Sequence, residues 1–84
     1  MGQDTIYRTS DTSLSAFLIT SQFALLYIDY SKPRYEFVFP DSDEIQKAAT
    51  SYVSGNARTE PSSFARVNRK LLRIVRRQCQ WEED

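Results

Sequence analysis

The sequence contains no histidine, a single cysteine and only two glycines. Without histidine the chain lacks the commonest general base and metal ligand near neutral pH, and every Ser-His or Cys-His nucleophile system with it. The lone Cys79 allows no internal disulfide and no cysteine-based zinc site, which favours a reducing compartment. Gly2 and Gly55 stand far apart, so no glycine-rich phosphate loop can form. The richest apolar stretch, Phe23 to Ile28, is far too short to cross a bilayer. The opening Met-Gly-Gln-Asp-Thr has neither a basic region nor an apolar run, so no signal peptide is expected and the expected location is the cytoplasm. Enzymatic activity, a cofactor, a metal site, a small-molecule substrate and a membrane partner all drop out of the expectation.

Acidic residues are missing from one segment only, and that local absence is informative. Net charge is zero, with 11 basic and 11 acidic side chains. Residues 1–60 hold five Lys/Arg against eight Asp/Glu, while residues 61–80 hold six basic side chains and no acid. The last residues, Glu82-Glu83-Asp84, restore the balance. Such a split within one chain points to a partner for the basic part.

What the chain does contain suits one small domain over residues 1–84, with an acidic tail at 81–84 that is free to fray. Five Tyr, five Phe and one Trp bury much area per residue, which a short chain needs for its core. Thr5 to Thr9 reads as a strand. Ser10 or Asp11 then caps a helix over about Thr12 to Thr20, whose buried stripe is Leu14, Phe17 and Leu18. Phe23 to Tyr30 and Arg34 to Phe39 form a hairpin around Ser31-Lys32-Pro33, with Tyr35, Phe37 and Phe39 on one face and Glu36 and Val38 on the other. Pro40 ends that strand, and Asp41 or Ser42 caps a second helix. Ile45, Ala48, Ala49, Tyr52 and Val53 make its apolar stripe, and Gly55 closes it.

Glu60 or Thr59 caps a last helix that starts with Pro61 and is expected to reach Gln80, roughly 30 Å at 1.5 Å per residue. Phe64, Val67, Leu71, Leu72, Ile74, Val75, Cys79 and Trp81 share one half of its wheel. Arg66, Arg69, Lys70, Arg73, Arg76 and Arg77 share the other. The fold class is thus α+β, in the order β-α-β-β-α-α. A small three-stranded sheet carries helices on one face and a long C-terminal helix, and the first strand lies beside Arg34–Phe39, giving spatial order 2-3-1.

Several of these motifs together resemble a family of short bacterial and phage domains of unknown function. They are the opening Thr9-x-Asp11-x-x-Leu14-x-Ala16-Phe17-Leu18-x-Thr20, then Glu36-Phe37-Val38-Phe39, Tyr52-x-x-Gly55-Asn56 and Glu60-Pro61-x-x-Phe64 before a Leu- and Arg-bearing helix. The resemblance covers about residues 7–76. It implies an origin in a phage or mobile element, and no catalytic residue comes with it. Family members usually carry a small residue and a glycine near the turn after the first helix, where this chain has Ser21-Gln22.

Individual candidates for chemistry each have a bland structural reading. Asp29 and Glu36 suggest a carboxylate pair, but a three-residue turn would set Asp29 opposite Tyr35 and leave both acids as solvated strand residues. Cys79, on the apolar half of the last helix, is expected to be a buried structural thiol. Asp11 is expected to cap its helix, and most of the tyrosines to belong to the core or the sheet surface. Only the basic arc resists this treatment, because solvated helices ordinarily mix signs. Its residues, Arg66, Arg69, Lys70, Arg73, Arg76 and Arg77, are the expected contact with nucleic acid or an acidic protein surface. The expected function is a non-enzymatic module that binds nucleic acid or a nucleoprotein complex. The alternative is a protein-interaction or homo-oligomerisation module built on Trp81, the hairpin edge and the terminal acids.

Overall fold

The computed structural model describes residues 5–82. The first strand, β1, spans Ile6–Thr9, and helix α1 spans Thr12–Thr20. Strands β2 (Tyr27–Asp29) and β3 (Glu36–Pro40) follow, then helices α2 (Asp43–Val53) and α3 (Pro61–Arg77). The sheet is antiparallel in the order β1-β3-β2. This is the expected element order and strand order.

Each helix begins where a side chain can answer its free amides. Asp11 accepts from the Leu14 N–H at 3.1 Å, and Ser42 from the Ile45 N–H at 3.1 Å. Glu60 accepts from the N–H groups of Ser62 and Ser63 at 3.2 and 2.6 Å, with Pro61 at the first helical position. At the end of α2, Gly55 takes a φ of +81°, a conformation in which glycine carries no Cβ penalty.

One cluster unites the three helices with the inner face of the sheet. Ile28, Phe37 and Phe39 meet Leu14, Phe17 and Leu18 of α1, Ile45 and Ala49 of α2, and Val67 and Leu71 of α3. Phe17 also stacks on Tyr52, with ring centroids 5.1 Å apart. Ser15 is buried inside α1 and satisfied by donating to the Asp11 carbonyl at 3.0 Å. Among the described residues the other sheet face carries no helix, and the side chains at Arg8, Tyr27, Asp29, Glu36 and Val38 share it by strand parity. Val38 is nonetheless buried, because Arg8 and Tyr27 stand beside it in register.

Several expectations need correction. Strand β2 begins only at Tyr27, and β3 runs from Glu36 through Pro40. The segment between them is longer than a tight turn, and Asp29 lies opposite Glu36, not Tyr35. Three hydrogen bonds, two local and one long-range, account for the shift. Asp29 Oδ1 accepts from the N–H and hydroxyl of Ser31, while Tyr30 is drawn off to donate its hydroxyl to the Cys79 carbonyl at 2.5 Å. Leu26 also donates to the Val38 carbonyl although Tyr27 is Val38's register partner, so two residues oppose one, as at a bulge. In α2, Val53 is 76 % exposed, because no element among the described residues fills the open cleft it borders with Tyr7, Ala49 and Thr50.

The largest correction concerns the end of α3. The helix stops at Arg77, where Gln78 adopts the left-handed conformation (φ 55°) and turns the chain back. Cys79 is therefore exposed, not a buried helix thiol. The part of the acidic tail at Glu83 and Asp84 lies outside the described residues. No helix among the described residues is long and apolar enough to cross a membrane.

Candidate functional site

Helix α3 holds its position through Val67 and Leu71, with Phe64, Ile74 and Val75 packed partly against the core. That leaves the opposite side of the helix to Arg66, Arg69, Arg73, Arg76 and Arg77, all exposed. Lys70 is half-buried and sits toward the boundary. Among the described residues none of these six forms an ion pair. The ion pairs present belong to Arg8 and Lys32 on the uncovered sheet face, where Arg8 reaches Asp29 at 3.1 Å and Glu36 at 3.0 Å, and Lys32 reaches Glu36 at 3.2 Å. Asp29 and Glu36 are thus a bridged pair, not two separately solvated carboxylates.

The reversal at Gln78 lays the following residues back over the domain. Gln80 fits its carboxamide onto the outer edge of β2, accepting from the Ile28 N–H at 2.7 Å and donating to the Ile28 carbonyl at 2.8 Å. Trp81 then settles beside α3. The Lys70 ammonium lies 4.3 Å from the centre of the indole and donates to the Glu82 carbonyl at 2.9 Å. The indole N–H is buried and meets no acceptor, so packing and the cation hold the ring.

The result is an open groove of about 840 Å³ along α3. Arg66, Arg69, Lys70 and Arg73 line it, together with Gln22, Val67 and Trp81. A shallower hollow continues it past Arg69, Leu72, Arg73 and Arg76. Arg77 borders neither space, so the six expected contacts are five along the groove and its extension and one beyond. Guanidinium forks at this density suit oxyanions such as phosphate or carboxylate, which accept two parallel hydrogen bonds.

Gln22 reaches the groove from the turn after α1, and its φ is +80°. This is the turn where a glycine was expected by resemblance, and the backbone has the geometry a glycine would favour. Of the acids, Asp29 has its pKa lowered to about 2, first by the Ser31 hydroxyl and amide and then by Arg8. Glu36 is lowered by Lys32 and Arg8, and Glu60 mainly by its bonds to Ser63. Among the described residues no group of three His, Cys, Asp or Glu side chains is placed to hold a metal ion.

Trp81 and Gln80 are the site residues that helical periodicity misplaced. Their partners, Lys70 and Ile28, are remote in sequence or lie across a chain reversal, and a glutamine at the reversal gives no stop signal.

The fold and site define a small α+β domain whose long C-terminal helix carries basic side chains without ion pairs among the described residues. Within that class the chain belongs to the family described as a domain of unknown function, DUF5659, whose family model matches residues 4–76. No curated protein and no solved structure matches it.

Proposed function

We propose that this domain is a non-enzymatic module that binds nucleic acid, alone or within a nucleoprotein complex, through α3. One observation carries the reading: six cations on a single helix have no ion-pair partner among the described residues, whereas Asp29 and Glu36 are engaged by Arg8 and Lys32. Like charges at helical spacing repel by a few tenths of a kcal/mol per pair, a cost that bound phosphates would reverse. The preference for arginine over lysine, five to one in residues 61–80, suits planar two-point recognition of phosphate. The absence of histidine supports a non-catalytic role. Work in the cytoplasm, as an accessory protein of a phage or mobile element, fits the same reading.

The test is a triple substitution, Arg66→Gln, Arg73→Gln and Arg77→Gln, which spares Lys70 and its contacts. Glutamine is a comparable helix former, so the fold should persist by circular dichroism. Affinity for nucleic acid should fall, and the slope of log K against log salt should flatten by up to about 2–3. Unchanged affinity and slope would refute the reading.

A second reading, protein interaction or self-association, is favoured by Leu26 and Tyr27. Both remain substantially exposed beside the uncovered sheet face. Light scattering distinguishes it, since an oligomer would persist in the triple variant at high salt.

A further inference from the structure

We infer that the groove along α3 takes single-stranded nucleic acid, with the backbone on the arginines and an unpaired base on the Trp81 indole. The inference rests on the nucleic-acid reading above and adds which form of nucleic acid is bound and how.

Basic residues alone do not distinguish a single strand from a duplex, because both present phosphates. The indole does. Trp81 lines the same groove as Arg66, Arg69 and Arg73, so one ligand can touch cation and ring together. In a duplex the base faces are stacked on their neighbours and cannot reach an indole, whereas every unpaired base offers a π-face. The ring is part of the groove's lining, so a flexible strand can lay its backbone on the arginines while turning one base onto the indole.

The ring's present partner fits this assignment. The Lys70 ammonium lies 4.3 Å from the indole centre, occupying the kind of face a base would use, and no hydrogen bond fixes the indole N–H. A base arriving on the ring displaces Lys70, whose flexible stem can carry the ammonium to the adjoining phosphate. Arg66 and Arg73 are two turns apart, about 10.5 Å along the axis at 1.5 Å per residue, so they serve separate positions along a strand. Arg69 lies between them on the same groove wall. Because bases stack regardless of identity, binding should show little sequence preference.

Trp81 is the only tryptophan, so its fluorescence reports the ring directly. An oligothymidylate of about 12 nucleotides, within the usual range of single-strand site sizes, should quench it on titration. A blunt duplex of equal length should bind more weakly and leave the emission unchanged. With a dye-labelled oligothymidylate followed by anisotropy, Trp81→Ala should bind roughly 5- to 150-fold more weakly, the usual loss for one base–aromatic stack. Trp81→Phe, which keeps a stacking ring and much of the packing, should recover most of that affinity. Circular dichroism on both variants checks that the fold is retained, and the phenylalanine variant keeps the test decisive if the alanine one unfolds.

Duplex bound as tightly as single strand, with emission unchanged, overturns the inference and leaves the nucleic-acid reading standing. So does a folded Trp81→Phe that binds as poorly as Trp81→Ala, since stacking would then not be the ring's role. Failure to bind either nucleic acid at low salt overturns both.

Discussion

Replacing Gln80 by alanine probes the return of the chain after α3 most directly. The carboxamide makes two short bonds to a single residue of β2, one to the Ile28 N–H and one to its carbonyl. It thereby stands in for a neighbouring strand on the sheet's edge. Each such bond contributes about 0.5–1.5 kcal/mol net of the water it replaces, so Gln80→Ala should cost roughly 1–3 kcal/mol. For a domain of this size that lowers the melting temperature by about 5–20 °C, at about 4–8 °C per kcal/mol. Urea titration should be followed both by far-ultraviolet circular dichroism and by the emission of Trp81, the neighbouring residue. If the return segment loosens before the core does, the emission will change at lower urea than the helical signal. The uncovered Ile28 groups would also leave an open strand edge, so light scattering should show more self-association than in the parent. Stability within about 0.5 kcal/mol of the parent, the ordinary range for an innocuous surface change, would show that water replaces the carboxamide at no cost and refute the reasoning.

Other substitutions test the core, the strained turn and the acids. Phe37→Ala or Leu71→Ala should lose about 2–5 kcal/mol by leaving a cavity where the native side chain is fully buried, and a parent-like melting temperature would contradict that. Gln22→Gly should match the parent or gain up to about 1 kcal/mol, reversing the usual penalty of glycine, because φ at this position is already +80°. Asp29 titrates near 2 in the folded chain, below its ordinary 3.8, so its contribution is present above about pH 4 and is lost as pH falls through about 2. Glu36 and Glu60 are lowered as well and add acid sensitivity in the same direction. The urea midpoint should therefore fall on acidification, and less steeply in Asp29→Asn; equal slopes would count against the Ser31 and Arg8 contacts.

What could be read from the sequence is what local chemistry decides. Asp11, Ser42 and Glu60 each cap a helix within three residues of their own position, so the helix starts were visible. The alternation through Phe37 and Phe39 displayed the inner face of the central strand, and the strand order followed from simple connectivity. Distant contacts were not visible. The hairpin register depends on Tyr30 being held by Cys79, far along the chain. The α3 terminus depends on a glutamine in a left-handed turn, where sequence rules look for glycine or asparagine. Extending the periodicity through that turn put Cys79 and Trp81 on a helix face they do not occupy. The same error concealed the groove, because Trp81 reaches Lys70 only by folding back.

The fold itself explains why α3 keeps its charge. Asp29 and Glu36 face each other across two strands, an arrangement that like charges disfavour. Arg8, from the strand on the other side of β3, relieves it by bridging both. All three side chains lie on the sheet face away from the helices, so the sheet stands between these acids and the arginines. Five other acids have local tasks. Asp11 and Glu60 cap helices, Asp41 accepts from Gln46, and Asp43 and Glu44 sit in the first turn of α2, where the helix dipole favours them. Among the described residues no acid forms an ion pair with the basic side of α3, and the proposed nucleic-acid partner would supply that counter-charge.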